Sequence, residues 1–582
     1  MSHAEPGGSA ELLRTMLPHL PSGHQTLTTP GPANVSLAVW GQLVDLIGHR
    51  HALAVAHTFE GGRSVPSKRA AELALSADLG AFSRLLPPAA AVALDDDGSL
   101  VVATDHLGLR QLFVASRGNT AAVSTCSSAV AQWLGAGLDE EALAVQSLLG
   151  WQLGERTLFR GVTRLGAGVR GHLGRGRMTV RQAERATPGQ QSMDVAVGEA
   201  AALLSSLITT TVETNSEVLL QLSGGLDTRI VLAAVPRDLR RGLAAMTLGD
   251  ESSPDVAVAR DLAGRFEMEH TVLPLDGLEI DSPDVAADLC HAASRRLDYV
   301  ADPLSTAAIR RAERGHVQTM RIGGIGGEAA RGFYHTGPVL PIGTSRLASR
   351  LVARYRMFVN ERVSEPALRR DFADWAQRFT ETQIDTSLRS MDDRFYRALD
   401  EFYLRERLQR WAGATSTAVV FDRGAVHPML DHRFIDIVRS VSPVHTARNR
   451  FAAELVVRLD SELAEIELDG RPSPSAYAGR SVGDKYKVYT SVGTKFTRKV
   501  YQRLERTRRP PIGASVLAES MRQYWQAHPE DLAPLTTLGL FRDEWLDGVA
   551  AGTVRPNAVD VAFLTNVIAA RSDAESQRSD VA

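Results

Sequence analysis

Val218-Leu219-Leu220-Gln221-Leu222-Ser223-Gly224-Gly225-Leu226-Asp227-Thr228-Arg229 is the stretch whose reading decides the fold. Its apolar start predicts a buried strand, Ser-Gly-Gly a tight turn, and the apolar spacing of Ile230 to Val235 a helix. Two successive glycines let the backbone approach an anion closely, and free amides at the head of the following helix point at it. A phosphate fits there. Ser223 adds a hydroxyl donor, and Asp227, one helical step further, is placed to hold a Mg²⁺ that bridges phosphates. The loop is not of the Walker A kind, because no lysine follows the glycines at the required spacing.

Downstream, Leu243 to Leu248 predicts a second buried strand, Pro254 to Phe266 a helix with proline in its first turn, and His270 to Leu273 a third strand. Val317 to Ile322 predicts another strand, which runs into Gly323-Gly324-Ile325-Gly326-Gly327-Glu328 and so ends on a second glycine-rich turn carrying an acid. Strands alternating with helices argue for a parallel sheet covered on both faces, with a ligand at the carboxyl ends of the strands.

Upstream, Ala89 to Leu94, Asp95 to Gly98 and Ser99 to Thr104 read as strand, Asp-Gly turn and strand, with a third strand at Gln111 to Ala115. Residues 1–34 are rich in Gly, Pro, Ser and His and predict a loosely held arm, and residues 184–192 read as a linker. From Leu347 to Gln409 the chain reads as helical, with Trp375, Phe395, Tyr396, Phe402 and Tyr403 as packing residues. The run Lys495 to Arg509 opposes seven basic residues with the single acid Glu505, which suits a solvated helix face, or a contact with RNA or a leader peptide.

At 582 residues the chain holds more than one domain. With 44% hydrophobic and 23% charged residues and a formal net charge of -3, it lacks the basic excess of a nucleic-acid binder. Cys126 and Cys290 alone cannot build a disulfide framework or a cysteine-rich zinc site, which fits a reducing cytoplasm. A signal peptide and an uninterrupted apolar run of about 18 residues are both missing from the sequence, so no membrane is expected.

Ser223 to Thr228 resembles the pyrophosphate loop of the N-type ATP pyrophosphatases. Asp105-His106-Leu107-Gly108-Leu109-Arg110 and Thr157 to Gly168 resemble segments of the glutaminase half of the asparagine synthetase family. In the same chain order, Gly324 to Glu328 resembles that family's Gly-x-Gly-x-Asp-Glu stretch, and His427 to Phe434 its Pro-Phe-Leu-Asp segment. The resemblance implies an α/β protein: a degenerate glutaminase-like β sandwich layer over residues 35–183, then a doubly wound adenylating domain with helical additions over 193–570 and a polar tail, 571–582. It implies ATP and Mg²⁺ as cofactors, with Ser223, Gly224, Gly225, Asp227, Thr228, Gly324 and Gly326 on ATP and pyrophosphate, and Asp227 and Glu328 on the metal. A lysine steadying the charge of an acyl-adenylate is implied in the C-terminal segment, where Lys485 and Lys487 are the candidates.

The chain departs from the family's pattern in places. Glu328 stands for an Asp, Ile325 for a Glu or Tyr, and Gly424 for an acid, although Asp422 and Arg423 lie close by. A glutaminase needs a terminal cysteine, whereas Met1 precedes Ser2 and a polar arm that offers no strand to hold it. The expectation is an AMP-forming amide ligase without its own glutaminase, as in β-lactam synthetases and lasso-peptide cyclases, acting on a small-molecule or peptide carboxylate, with a precursor peptide or partner protein as a further partner and no DNA. Asparagine synthesis from glutamine or ammonia, and a non-catalytic nucleotide-binding scaffold, are the competing readings; a tRNA thiolase fits less well because the cysteine pairs it commonly needs are missing.

Overall fold

In a computed structural model that describes residues 1–3, 9–10, 13, 25–28, 34–39, 53–54, 58–183, 185, 187–215, 217–275, 277–316, 320–335, 338–420, 423–479 and 513–575, the strand Val218–Gln221 is the middle of a five-stranded sheet. Across the sheet the strands run Glu269–Leu273, Ala244–Leu248, Val218–Gln221, Met320–Ile322 and Gly424–Val426, and every pairing is parallel. Leu220, Ala245 and Ile322 are wholly buried, as expected of a parallel sheet covered on both faces. From the middle strand the chain builds outward on one side, then returns to build on the other. The strand order therefore reverses between Val218–Gln221 and Met320–Ile322, and a crevice for ligand opens at their carboxyl ends.

The helix Met193–Thr214 leads into this sheet, with the Ser192 side chain accepting a hydrogen bond from the Val195 amide at its start. It is long and apolar enough to cross a membrane, yet Ala196, Ala200, Leu204 and Ile208 are buried in the main core beside Phe434 and Leu455. Here its apolar face packs on protein.

The preceding part is two antiparallel sheets. One runs Arg177–Gln182, Val169–Gly174, Leu100–Thr104, Ala90–Leu94 and Leu53–Ala54, the other Ser2–His3, Thr120–Ser124, Phe113–Arg117 and Thr163–Arg164. Val92, Val102, Leu112, Ala121 and Leu173 pack between them as the core of a sandwich. The Asp-Gly turn joins Ala90–Leu94 to Leu100–Thr104, with Gly98 at φ 79°.

Composition predicts a loose arm over residues 1–34; part of it is tied down instead. Ser2–His3 pairs with Thr120–Ala121, Gln25–Thr28 pairs with Ser36–Val39, and the Met1 amino group donates to the Ser36 carbonyl at 2.7 Å. A sheet edge with unpaired backbone groups accepts almost any extended segment, so Gly, Pro and His content gives no warning of the pairing.

A second core is shared between the two parts. Ala142, Leu143 and Phe159 from the sandwich side join Ala286, Cys290, Trp525 and Val567 from helices Pro283–Arg296, Ala514–Ala527 and Ala558–Glu575. The turn between helices Pro283–Arg296 and Pro303–Ala312 lies at this junction: Gln146 donates to the Tyr299 carbonyl and Asn566 to the Ala301 carbonyl.

Candidate active site

Helix Leu226–Ala234 starts directly after the glycines, with Gly225 as its N-cap, earlier than the apolar spacing alone indicates. Asp227 is thereby in the first turn, where the free amides and the positive helix end gather. The Ser223 hydroxyl accepts from the Gly225 amide at 3.1 Å and lies 2.8 Å from the Thr228 hydroxyl. Asp255, on the helix after the next strand, accepts the Gly224 amide at 2.8 Å, while the Gly224 carbonyl accepts from the Asp469 amide at 3.1 Å.

The second glycine-rich turn folds onto this helix start. A Cβ on Gly324 would lie 3.1 Å from the Asp227 Cβ and the Thr228 amide nitrogen, and one on Gly327 would collide with the Asp227 carboxylate. Glycine is needed at Gly327 because the two loops touch there. Gly326, at φ 98°, turns the chain into the 3-10 helix Gly327–Arg331, which carries Glu328 in its first turn.

Asp227 and Glu328 meet across a shared cation. Arg331 Nη2 lies 2.7 Å from Asp227 Oδ2 and 3.5 Å from Glu328 Oε1, and the Tyr403 hydroxyl donates to Glu328 Oε2 at 3.2 Å. Burial pushes the Asp227 carboxyl up, and the Arg331 guanidinium pulls it back. Asp227 Oδ1 is buried without a hydrogen-bond partner, a hard oxygen left free for a cation. Two carboxylates in one crevice beside the free amides of a helix start are donors of the kind that fit Mg²⁺, a hard cation bound through oxygen. Among the described residues no group of three or more His, Cys, Asp and Glu side chains gathers as a metal cage of its own.

Ile325 packs against the main core, which explains an apolar residue where a proton carrier was expected. Gly424 is the buried first residue of an edge strand. Asp431 is turned to structural work: it caps helix His432–Ser440 through the Arg433 amide and holds the Arg433 side chain at 2.9 Å. Lys485, Lys487, Asp422 and the run Lys495 to Arg509 lie outside the described residues. Arg331 and Asp255 are missed by the sequence reading, and Tyr403 appears in it only as a packing residue. The one signal for Arg331 is its place three residues after Glu328, one 3-10 turn on.

Beside Glu328 a small cavity is lined by Phe333, Tyr403, Arg397, Glu401 and Arg439. The Arg439–Glu401 ion pair at 2.6 Å forms part of its wall. A wider groove between Pro188–Gln191 and helix His432–Ser440 has no residue from either glycine-rich turn.

Residues 199–455 match the family model described as asparagine synthase, a span that contains both glycine-rich turns, Tyr403 and the whole parallel sheet. No curated protein matches the chain.

Proposed function

Starting from an asparagine synthase domain, and hence from an ATP-dependent carbon-nitrogen ligase, we propose that this protein forms AMP and pyrophosphate, adenylating a substrate carboxylate for attack by an amine. The observation that carries the reading is that two glycine-rich strand ends, at the point where the strand order reverses, each deliver one acid to the same crevice.

The amides at the head of helix Leu226–Ala234 and the Ser223 hydroxyl cradle the phosphates of ATP. Asp227 and Glu328 would hold Mg²⁺, which when bound draws charge from the departing pyrophosphate. Tyr403 fixes the rotamer of Glu328 by donating to one of its oxygens. A substrate carboxylate oxygen attacks the α-phosphorus and the bond to pyrophosphate breaks; the amine nitrogen then attacks the acyl carbon, the bond to AMP breaks, and the amine's proton passes to solvent as the amide forms.

The amine comes from the acceptor or from solution rather than from glutamine. Burial raises the pKa of both cysteine thiols, Cys126 sharing a hydrogen bond with Ser128 and Cys290 sealed in the shared core, so neither is a ready thiolate. The carboxylate belongs to a small molecule or a peptide, and a precursor peptide or partner protein would present it. Lys485 or Lys487 would neutralise charge on the acyl-adenylate.

ATP-pyrophosphate exchange, screened over candidate carboxylates with Mg²⁺ present, is the test. Exchange that depends on one carboxylate is expected; nucleotide binding without exchange for any carboxylate would favour the scaffold reading. In the same incubations, glutamate release from added glutamine above background, lost on altering Ser2, would overturn the claim that no glutaminase operates.

A further inference from the structure

Arg331 ends a five-residue 3-10 helix set between Gly326 and Gly332, at φ 98° and 57°. This short turn brings its guanidinium to the place where Asp227 and Glu328 converge. Three of the four carboxylate oxygens are contacted by the protein's own donors: Asp227 Oδ2 and Glu328 Oε1 by Arg331, and Glu328 Oε2 by Tyr403. Asp227 Oδ1 is the fourth and is buried without a partner. Two partly buried acids held this close repel each other, and the permanently charged guanidinium, reaching both through Nη2, offsets part of that cost.

The same carboxylates would hold a divalent cation. Guanidinium and metal therefore compete for one set of oxygens. The anion side of the crevice is occupied in a matching way, because the Asp255 carboxylate takes the Gly224 amide in the phosphate loop. Nucleotide would reverse both arrangements. Its phosphates suit the loop amides, and they suit a guanidinium, which binds phosphate through paired N–H donors. Arg331 Nε is buried and has no partner, so a donor is in reserve.

We propose that Arg331 is an internal counter-ion that keeps divalent metal out of the Asp227–Glu328 pair until nucleotide phosphates draw the guanidinium away. Metal and nucleotide then enter together. On their arrival Arg331 exchanges carboxylate for phosphate and Asp227 and Glu328 exchange guanidinium for metal. This deepens the adenylating reading and rests on it for the nucleotide step.

The experiment uses the full-length protein and Mn²⁺ alone as probe, with free Mn²⁺ followed by electron paramagnetic resonance. Nucleotide-free R331Q is expected to bind Mn²⁺ about tenfold or more tightly than wild type, within the usual range of coupling between sites. R331K, which keeps the charge on a shorter side chain with a differently shaped head, should fall between them. Adding a non-hydrolysable ATP analogue should raise the Mn²⁺ affinity of wild type far more than that of R331Q. Circular dichroism checks the fold, and if R331Q does not fold, R331K carries the comparison. Mn²⁺ affinities in the nucleotide-free variants equal to or below that of wild type would overturn the counter-ion role. If the analogue failed to bind wild type while the Mn²⁺ difference held, the adenylating reading would fall and the counter-ion role would stand.

Discussion

Asp227 and Glu328 come from strand ends about a hundred residues apart in sequence, yet both were legible, because each follows glycines that close a buried apolar strand. Asp227→Ala and Glu328→Ala are each expected to lower ATP-pyrophosphate exchange by about 10²-fold or more, the scale on which preorganised charge acts in catalysis. Circular dichroism should be unchanged in both; full exchange in both would remove them from the site. Arg331, Tyr403 and Asp255 were illegible for a common reason. Each acts by reaching another element, and residue type alone does not say what a side chain reaches. The Tyr403 hydroxyl meets a carboxylate 75 positions away, so the aromatic was read only as a packing residue.

At the scale of elements, helix Leu226–Ala234 does more than present its first turn. Arg229 is wholly buried and donates to the carbonyls of Leu463, Ile466 and Glu467, just before Asp469, whose amide holds the Gly224 carbonyl. One side chain thus fastens the segment that braces the first glycine-rich turn. Arg229→Met would leave these carbonyls without a donor and should cost about 3 kcal/mol of stability, summing roughly 1–3 kcal/mol for each unsatisfied group with partial relief by water. A urea melt measures that loss, and reduced exchange in the variant at temperatures where it stays folded would show that the brace serves the loop; a melt like that of wild type would refute the assignment. The strand-helix alternation was readable in the sequence because apolar runs of strand length between glycines have few other interpretations. The helical reading of Leu347 to Gln409 reaches most of Tyr403–Ala412 but not its widened π turns, which follow from tertiary packing. The short pairings of the first residues escaped for the opposite reason: they are made by backbone, and composition is silent about backbone.

The whole molecule is joined across the two parts at His106, whose Nε2 donates to the Leu430 carbonyl at 2.8 Å; Nδ1 is buried and bare. Burial, helped by the charge of Arg185, pushes the His106 imidazole down to about 3. The folded protein refuses a proton that the unfolded chain accepts at its ordinary value of 6.5. Stability from this group is present above pH 6.5 and is lost as pH falls toward 3, by up to about 1.4 kcal/mol per pH unit. Asp298 works against it: burial pushes that carboxyl up to about 7, so the folded form takes a proton sooner and gains stability as pH falls from 7 toward 4. The difference between wild type and His106→Gln isolates the imidazole, since glutamine can still donate to Leu430 without titrating. The wild-type curve should fall more steeply below pH 6.5; parallel curves would mean that His106 takes its proton without unfolding the junction. The shared core has a plainer consequence for how the chain can be divided. The linker read over residues 184–192 suggests a boundary, but a cut there would separate Phe159 and Leu143 from Cys290 and Trp525, which share one buried core. The pieces would stay together as a two-part assembly, and neither half made alone would come out of a cell as a free-standing module.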